Sequence, residues 1–321
     1  MRAIVQHRYG GPEVLELARV DAPVPADDEV IVRVHAVGVS IGDAFIMRGE
    51  PRAVRLAFGL TRPKRPTIGR DVAGEVEAVG AGVTRFSVGD AVYAESDQGG
   101  YAELVVVPER FVAIRPTSVD AEHAAAVPVS GTTALQGLRL AGVAPGRHVL
   151  VNGASGGVGG FAVQLAKAMG AEVTGVCRTA KVEHVRSLGA DHIIDYTTED
   201  FTTGGRRYDV VFDLVADHSL RDLRRALAPR GTLVLSSGKG GTVFGPLGRI
   251  IRAFLMSPFV SQHLRPLAAA RNGDDLAELT RRIDAGDVTP VVDRVFPLER
   301  AAEAVARLES GEVRGKVVIA V

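Results

Sequence analysis

A chain of 321 residues with 46% hydrophobic and 24% charged residues has ordinary globular composition and ample core, which excludes a disordered or fibrous protein. Its 38 Lys and Arg balance 38 Asp and Glu, so no net field draws it to nucleic acid or to an anionic membrane. The single cysteine, Cys177, rules out internal disulfides and multi-cysteine metal sites.

The first residues, M-R-A-I-V-Q-H, read directly as a strand and lack the apolar core of a signal peptide. No run of about 18 apolar residues occurs, so no membrane span is expected and the cytoplasm is the expected location. From residue 1 to about 118 the pattern is β-rich and punctuated by Gly, Pro and Asp. Alternating runs at 3–5, 14–17, 29–37, 73–79, 91–93 and 101–107 predict a compact, barrel-like β domain. Residues 124–138 then read as helical.

The next stretch organises the rest of the chain. Residues 148–151 form a short apolar run, which breaks into N-G-A-S-G-G-V-G-G and resumes at helical spacing until Gly170. Strand, glycine loop and helix are the context in which backbone N–H groups and a helix N-terminus cradle a pyrophosphate. Gly153, Ala154, Ser155, Gly156, Gly157, Val158 and Gly159 are therefore the candidate cofactor loop. A tight turn without a ligand is the competing reading, and what weakens it is the set of strands that follows. Runs at 171–177, 191–195, 208–213 and 231–237 alternate with helical or loop segments, predicting a parallel, doubly wound Rossmann sheet.

The segment 243–263 is unusually apolar for a late crossover. It reads either as buried packing or as an oligomer contact or substrate-pocket wall, and a homodimer is the expectation drawn from it. An amphipathic helix at 274–286, a strand at 288–298, a helix at 301–311 and a final strand at 315–321 close the chain.

These residues resemble the medium-chain dehydrogenase/reductase superfamily, in its zinc-free quinone oxidoreductase branch. The likeness rests on V37-G-V-S-I-G-D-A-F-I-M-R-G49, P66-T-I-G-R-D-V-A-G-E-V-E-A-V-G80, V88-G-D-A-V92, V129-S-G-T-T-A134, the glycine loop, L188-G-A-D-H-I-I-D-Y196 and R314-G-K-V-V-I319. It implies a GroES-like domain over 1–118 completed by 290–321, a Rossmann domain over 119–289, and an active-site cleft between them.

The departures bear on the chemistry. Where zinc-dependent relatives carry a ligating Cys and a His-Glu pair, this chain has Ser40 and Arg70-Asp71, and the four-cysteine structural zinc lobe is missing. A hydroxyl and a guanidinium do not replace zinc ligands, so no metal is expected. Without a Lewis acid the suitable substrates are already electron-poor, such as quinones or conjugated enones and enals. The expected activity is NADPH-dependent reduction of such a small molecule. A dinucleotide-binding redox sensor or structural protein with little turnover is the alternative.

By the resemblance, Ser40 and Asp43 are the candidate catalytic groups, although Ser-Ile-Gly-Asp is also good turn chemistry. Arg48 reads equally as a packing charge. Thr133 maps near the nicotinamide end of the cofactor, with helix capping as its other reading, which Thr132 could share. Lys239 and Lys316 are weaker candidates. Tyr93, Tyr101 and Cys177 read as packing residues.

Cofactor choice turns on the end of the second Rossmann strand. NAD-specific sites place a carboxylate there to hold the ribose hydroxyls, and here the strand ends V-C-R-T-A-K. Arg178 offers a planar fork to a 2′-phosphate and Lys181 a point charge, against the plain reading of a solvated helix start. The resemblance adds Tyr196 at the same phosphate. NADPH is the expected cofactor.

Overall fold

The structure is a computed structural model that describes residues 1–236 and 247–321. Ser237, Lys239 and the start of the apolar 243–263 stretch lie outside the described residues. The chain forms two compact units, 1–132 with 271–321 and 133–270. The junctions expected near 118 and 290 thus meet a chain in which 119–132 and 271–289 lie with the first unit. One division falls inside the Pro128–Ala141 helix.

The first unit is built on the long strand Glu29–Val39. Its alternating E-V-I-V-R-V buries one face, and it pairs antiparallel with Asp71–Val79, Leu104–Pro108 and Lys316–Ala320. The last strand of the chain therefore joins this sheet, where it also runs parallel to Val292–Pro297. Ala91–Glu95 and Val112–Ile114 extend the sheet on the other side. Two glycines are dictated by backbone approach: a Cβ on Gly38 would run into the Ala125 carbonyl, and one on Gly74 into the Arg33 carbonyl.

Two segments differ from the reading of the sequence. Residues 40–43, for which turn chemistry was the competing reading, open the helix Ile41–Arg48, which is stopped by Gly49 in the left-handed region. The 124–138 stretch is two helices, Ala121–Ala125 and Pro128–Ala141, because Pro128 has no N–H to continue the first and suits the first turn of the second. Thr132 and Thr133 fall beyond the first turn of the second helix, so neither caps it.

The second unit is a six-stranded parallel sheet. Its order is His192–Asp195, Glu172–Cys177, His148–Asn152, Tyr208–Asp213, Leu227–Leu235 and His263–Pro266. Strand order reverses direction between His148–Asn152 and Tyr208–Asp213, the switch point at whose carboxyl ends such sheets bind ligands. The sixth strand has no counterpart in the sequence reading. It is a short edge strand in which only Leu264 is buried, too little apolar pattern to stand out. The Leu247–Met256 helix buries Ala253 but exposes Ile251, Phe254 and Leu255. Among the described residues no helix is long and apolar enough to cross a membrane.

Candidate active site and cofactor loop

In the first unit, strand register gathers a buried polar centre. Val39 faces Val317 on one side of the long strand, and Gly38 faces Asp71 on the other. Ser40, Asp71 and Lys316 are thereby delivered to one end of three adjacent strands. Lys316 Nζ donates to Ser40 Oγ at 2.7 Å and to Asp71 Oδ2 at 2.8 Å, and Ser40 Oγ donates to the same Oδ2 at 2.5 Å. Asp71 Oδ1 accepts the Val129 backbone N–H at 2.5 Å. All three side chains are buried, so the ammonium and the carboxylate satisfy one another and the hydroxyl bridges them.

Asp43 lies in the first turn of the Ile41–Arg48 helix, where its Oδ2 accepts the Ser40 backbone N–H at 2.9 Å. This bond anchors the helix start and favours a carboxylate. Burial works against it and dominates, with the Asp71 charge adding to it, and the carboxyl is pushed up to about 7. The other oxygen, Oδ1, and the Tyr101 hydroxyl are both buried, and the phenol and the Asp43 carboxyl interact with one another. Burial, then Asp43 and Asp71, hold that phenol well above its usual range.

Other residues weighed in the sequence are engaged elsewhere. Arg48 forms a two-pronged ion pair with Glu309, Nε to Oε1 at 2.5 Å and Nη2 to Oε2 at 2.8 Å, tying two helices of the first unit. The Tyr93 hydroxyl donates to the Leu276 carbonyl at 2.6 Å. Arg70 pairs with Glu95. Cys177 is buried, and burial pushes its thiol up to about 11, which leaves no thiolate to act as a nucleophile.

In the second unit, the loop between His148–Asn152 and the Gly157–Ala168 helix explains its glycines. Gly153 has φ +91°, and Gly156 caps the helix in extended conformation. A Cβ on Gly159 would run into the Gly153 carbonyl and stand 2.8 Å from Ala154 Cα. The Gly153 and Ala154 N–H groups are tied to the Val176 carbonyl at 3.3 and 3.0 Å, so the N–H groups that the helix itself leaves open are those of its first turn, Gly157 to Gly159.

At the end of Glu172–Cys177, Arg178 is half-buried and its Nε has no protein partner. Lys181 is buried, and Tyr196 is exposed with its backbone N–H on the Cys177 carbonyl at 3.0 Å. Nearby, the Asp195 carboxylate accepts from the Thr197 N–H at 3.0 Å and its hydroxyl at 2.7 Å. Thr133 lies half-buried in the Pro128–Ala141 helix. In the sequence Lys316 stood only as a weaker candidate, Asp71 only as part of a replaced zinc-ligand pair and Tyr101 as packing, and the structure brings all three to this centre. A usable signal was present, since a lysine opening the buried strand K-V-V-I-A must find an anion.

An antiparallel β unit closed by the C-terminal strand, with a parallel sheet carrying a glycine loop, is the build of the medium-chain dehydrogenase/reductase class. Residues 26–117 match the family model "Alcohol dehydrogenase GroES-like domain" and 188–319 match "Zinc-binding dehydrogenase". The chain is 34% identical to the chloroplast envelope quinone oxidoreductase homolog of Arabidopsis thaliana, covering 99% of this chain and 98% of that protein. It is also 34% identical to the NADPH-dependent alkenal/one oxidoreductase of the same plant, covering 99% and 79% respectively. Among solved structures, Escherichia coli quinone oxidoreductase complexed with NADPH matches with a TM-score of 0.84, 29% identity and full coverage of both chains. The chain belongs to the quinone oxidoreductase-like branch of the medium-chain dehydrogenase/reductase superfamily.

Proposed function

We propose that this protein is an NADPH-dependent, zinc-independent reductase of electron-poor small molecules, namely quinones or conjugated enones and enals. The observation that carries the reading is the buried Ser40–Asp71–Lys316 centre. An ammonium stands between two of the positions where zinc-dependent relatives place ligands, a fixed cation in a water-poor site. Such a cation stabilises negative charge that develops on an acceptor oxygen, with no metal required.

Bound NADPH supplies the hydride. The residues present fit it: the glycine loop cannot hold a side chain at Gly159, and Arg178 carries an unpartnered guanidinium nitrogen where NAD-specific sites carry a carboxylate. The first-turn N–H groups from Gly157 to Gly159, set in place by the Gly153–Gly156 turn, would bind its pyrophosphate, Arg178, Lys181 and Tyr196 its 2′-phosphate, and Thr133 would lie toward its nicotinamide. Asp43 retains a proton near neutrality, and Ser40 and Lys316 polarise the acceptor.

Following NADPH consumption against a panel of quinones, enones and enals tests the assignment. Turnover with at least one conjugated acceptor, and none with unactivated ketones, is expected. Tight NADPH binding with no turnover on any acceptor would instead support a redox-sensing or structural role.

A homodimer belongs to the same proposal. Phe254 and Leu255 on the Leu247–Met256 helix are exposed, and Phe259 just beyond it is 87% exposed, an apolar surface that association would cover. Sedimentation should show a dimer that Phe254→Asp with Phe259→Asp dissociates; a monomeric parent overturns this point.

A further inference from the structure

We propose that the pocket beside the 59–66 turn of the first unit binds the anionic end of an acidic acceptor, a carboxylate or phosphate on an apolar body. The reductase reading identifies that body as a substrate, and the pocket alone argues for the anion. The cavity is about 600 Å³, ample for a small organic molecule, and Gln6, His7, Leu60, Arg62, Lys64 and Pro66 are among its lining residues.

The turn is a built feature rather than a loose loop. Gly59 has φ +126°, and a Cβ there would run into the Arg62 carbonyl, so only glycine closes it. The Lys64 N–H donates to the Phe58 carbonyl at 2.7 Å, and the Tyr9 hydroxyl donates to the Gly59 carbonyl at 2.5 Å. Gln6 N–H ties the first strand to the Pro66 carbonyl at 2.7 Å. Arg55 stacks over the Tyr9 ring at 4.6 Å and donates to the Gly49 carbonyl at 3.0 Å, which fixes Tyr9.

Charge on this segment is one-sided. Residues 50–66 hold Arg52, Arg55, Arg62, Lys64 and Arg65 against the single acid Glu50. Arg65 is neutralised by Asp97 at 2.9 Å. Lys64 Nζ reaches only the Ala57 carbonyl, at 3.1 Å, and among the described residues neither Arg62 nor Lys64 has a carboxylate partner. Two uncompensated cations on a rigid turn select an anion, and the guanidinium fork suits carboxylate and phosphate alike.

The other walls suit an amphiphile. Leu60 is largely exposed beside Pro63 and Pro66, an apolar surface for the body of a ligand. Gln6 is 1% exposed, yet neither Nε2 nor Oε1 of its amide has a partner. A buried amide left unpaired at a pocket wall is a group that a polar ligand would satisfy. A neutral quinone uses none of the charge. An enone or quinone bearing an acid group uses all of it.

Calorimetric titration of the whole protein with octanoate, octyl phosphate and octanol tests this directly. At least one anion should bind about tenfold or more tighter than octanol, with the preference shrinking as salt is raised. Preference for octanoate alone identifies a carboxylate pocket, and for octyl phosphate alone a phosphate pocket. Arg62→Ala with Lys64→Ala, both exposed positions, should abolish the preference and leave octanol binding unchanged. With an enone acid and its methyl ester, the same double variant should raise KM for the acid about tenfold, with kcat and the ester unaffected. Equal binding of anion and alcohol, or a preference that survives the double substitution, overturns the proposal. If the preference stands while no acceptor is turned over, the reductase reading falls and the anion site remains. Turnover with no preference for acid over ester has the opposite meaning.

Discussion

Lys316 Nζ lies 2.8 Å from Asp71 Oδ2, with both side chains buried and Ser40 Oγ bridging them. A buried ion pair of this kind is costly to halve, because removing one partner strands the other charge at about 3–5 kcal/mol. Lys316→Met should therefore destabilise the protein by about 3–5 kcal/mol in denaturant unfolding. Adding Asp71→Asn should recover most of the loss. A Lys316→Met protein as stable as its parent would show that the two groups do not depend on each other.

The Asp43 carboxyl is pushed from 3.8 up to about 7 by burial, reinforced by the Asp71 charge. A carboxyl that keeps its proton to higher pH when folded favours the fold below its unfolded value. That contribution is lost as pH rises through the folded value. Stability of the parent should thus fall, relative to Asp43→Asn, between about pH 4 and 7 and level off beyond, a difference that chemical denaturation at several pH values resolves. The same substitution should lower kcat roughly a hundredfold and remove the decline in rate above neutral pH. An unchanged pH–rate profile would assign Asp43 to anchoring the helix start alone.

Arg178 ends the second strand of the parallel sheet with its Nε unpartnered, and the nearby Asp195 is already engaged by Thr197. Charge-assisted bonds to a 2′-phosphate are worth roughly 1.5–3 kcal/mol. Arg178→Ala should accordingly raise the KM for NADPH about tenfold to a hundredfold and leave that for NADH nearly constant. Equal use of both cofactors by the unmutated protein contradicts the assignment.

Ser40 and Arg70 stand where zinc-dependent relatives carry ligands, and both are engaged, one with Lys316 and Asp71, the other with Glu95. Elemental analysis of purified protein should find zinc well below stoichiometry, and a chelator should leave activity intact. Stoichiometric zinc that is lost together with activity refutes the metal-free mechanism.

How much of this was legible in the sequence depended on pattern length. The glycine loop, the alternating long strand and the G-R-D-V-A-G run were readable because a turn, a two-residue period and a close backbone approach each leave a local mark. The His263–Pro266 strand left none, since an edge strand with one buried residue has no period to show. The Ile41–Arg48 helix was hidden because S-I-G-D satisfies a turn and a helix start equally well. The polar centre was only half visible. Ser40, Asp71 and Lys316 are separated by hundreds of residues at the extremes, and only strand register joins them. Tyr101 read as packing because the meeting of its buried hydroxyl with Asp43 is a property of surroundings, which sequence spacing does not carry.

The central claim is hydride delivery from NADPH to a conjugated acceptor. It is tested most directly by supplying NADPH deuterated at the transferring position with an enone and locating the label in the product. The account predicts a saturated ketone bearing one deuterium at the carbon distal to the carbonyl, in parent protein and, at a lower rate, in Lys316→Met. Recovery of unlabelled enone after prolonged incubation with every acceptor tried, with the cofactor bound but unspent, would contradict it.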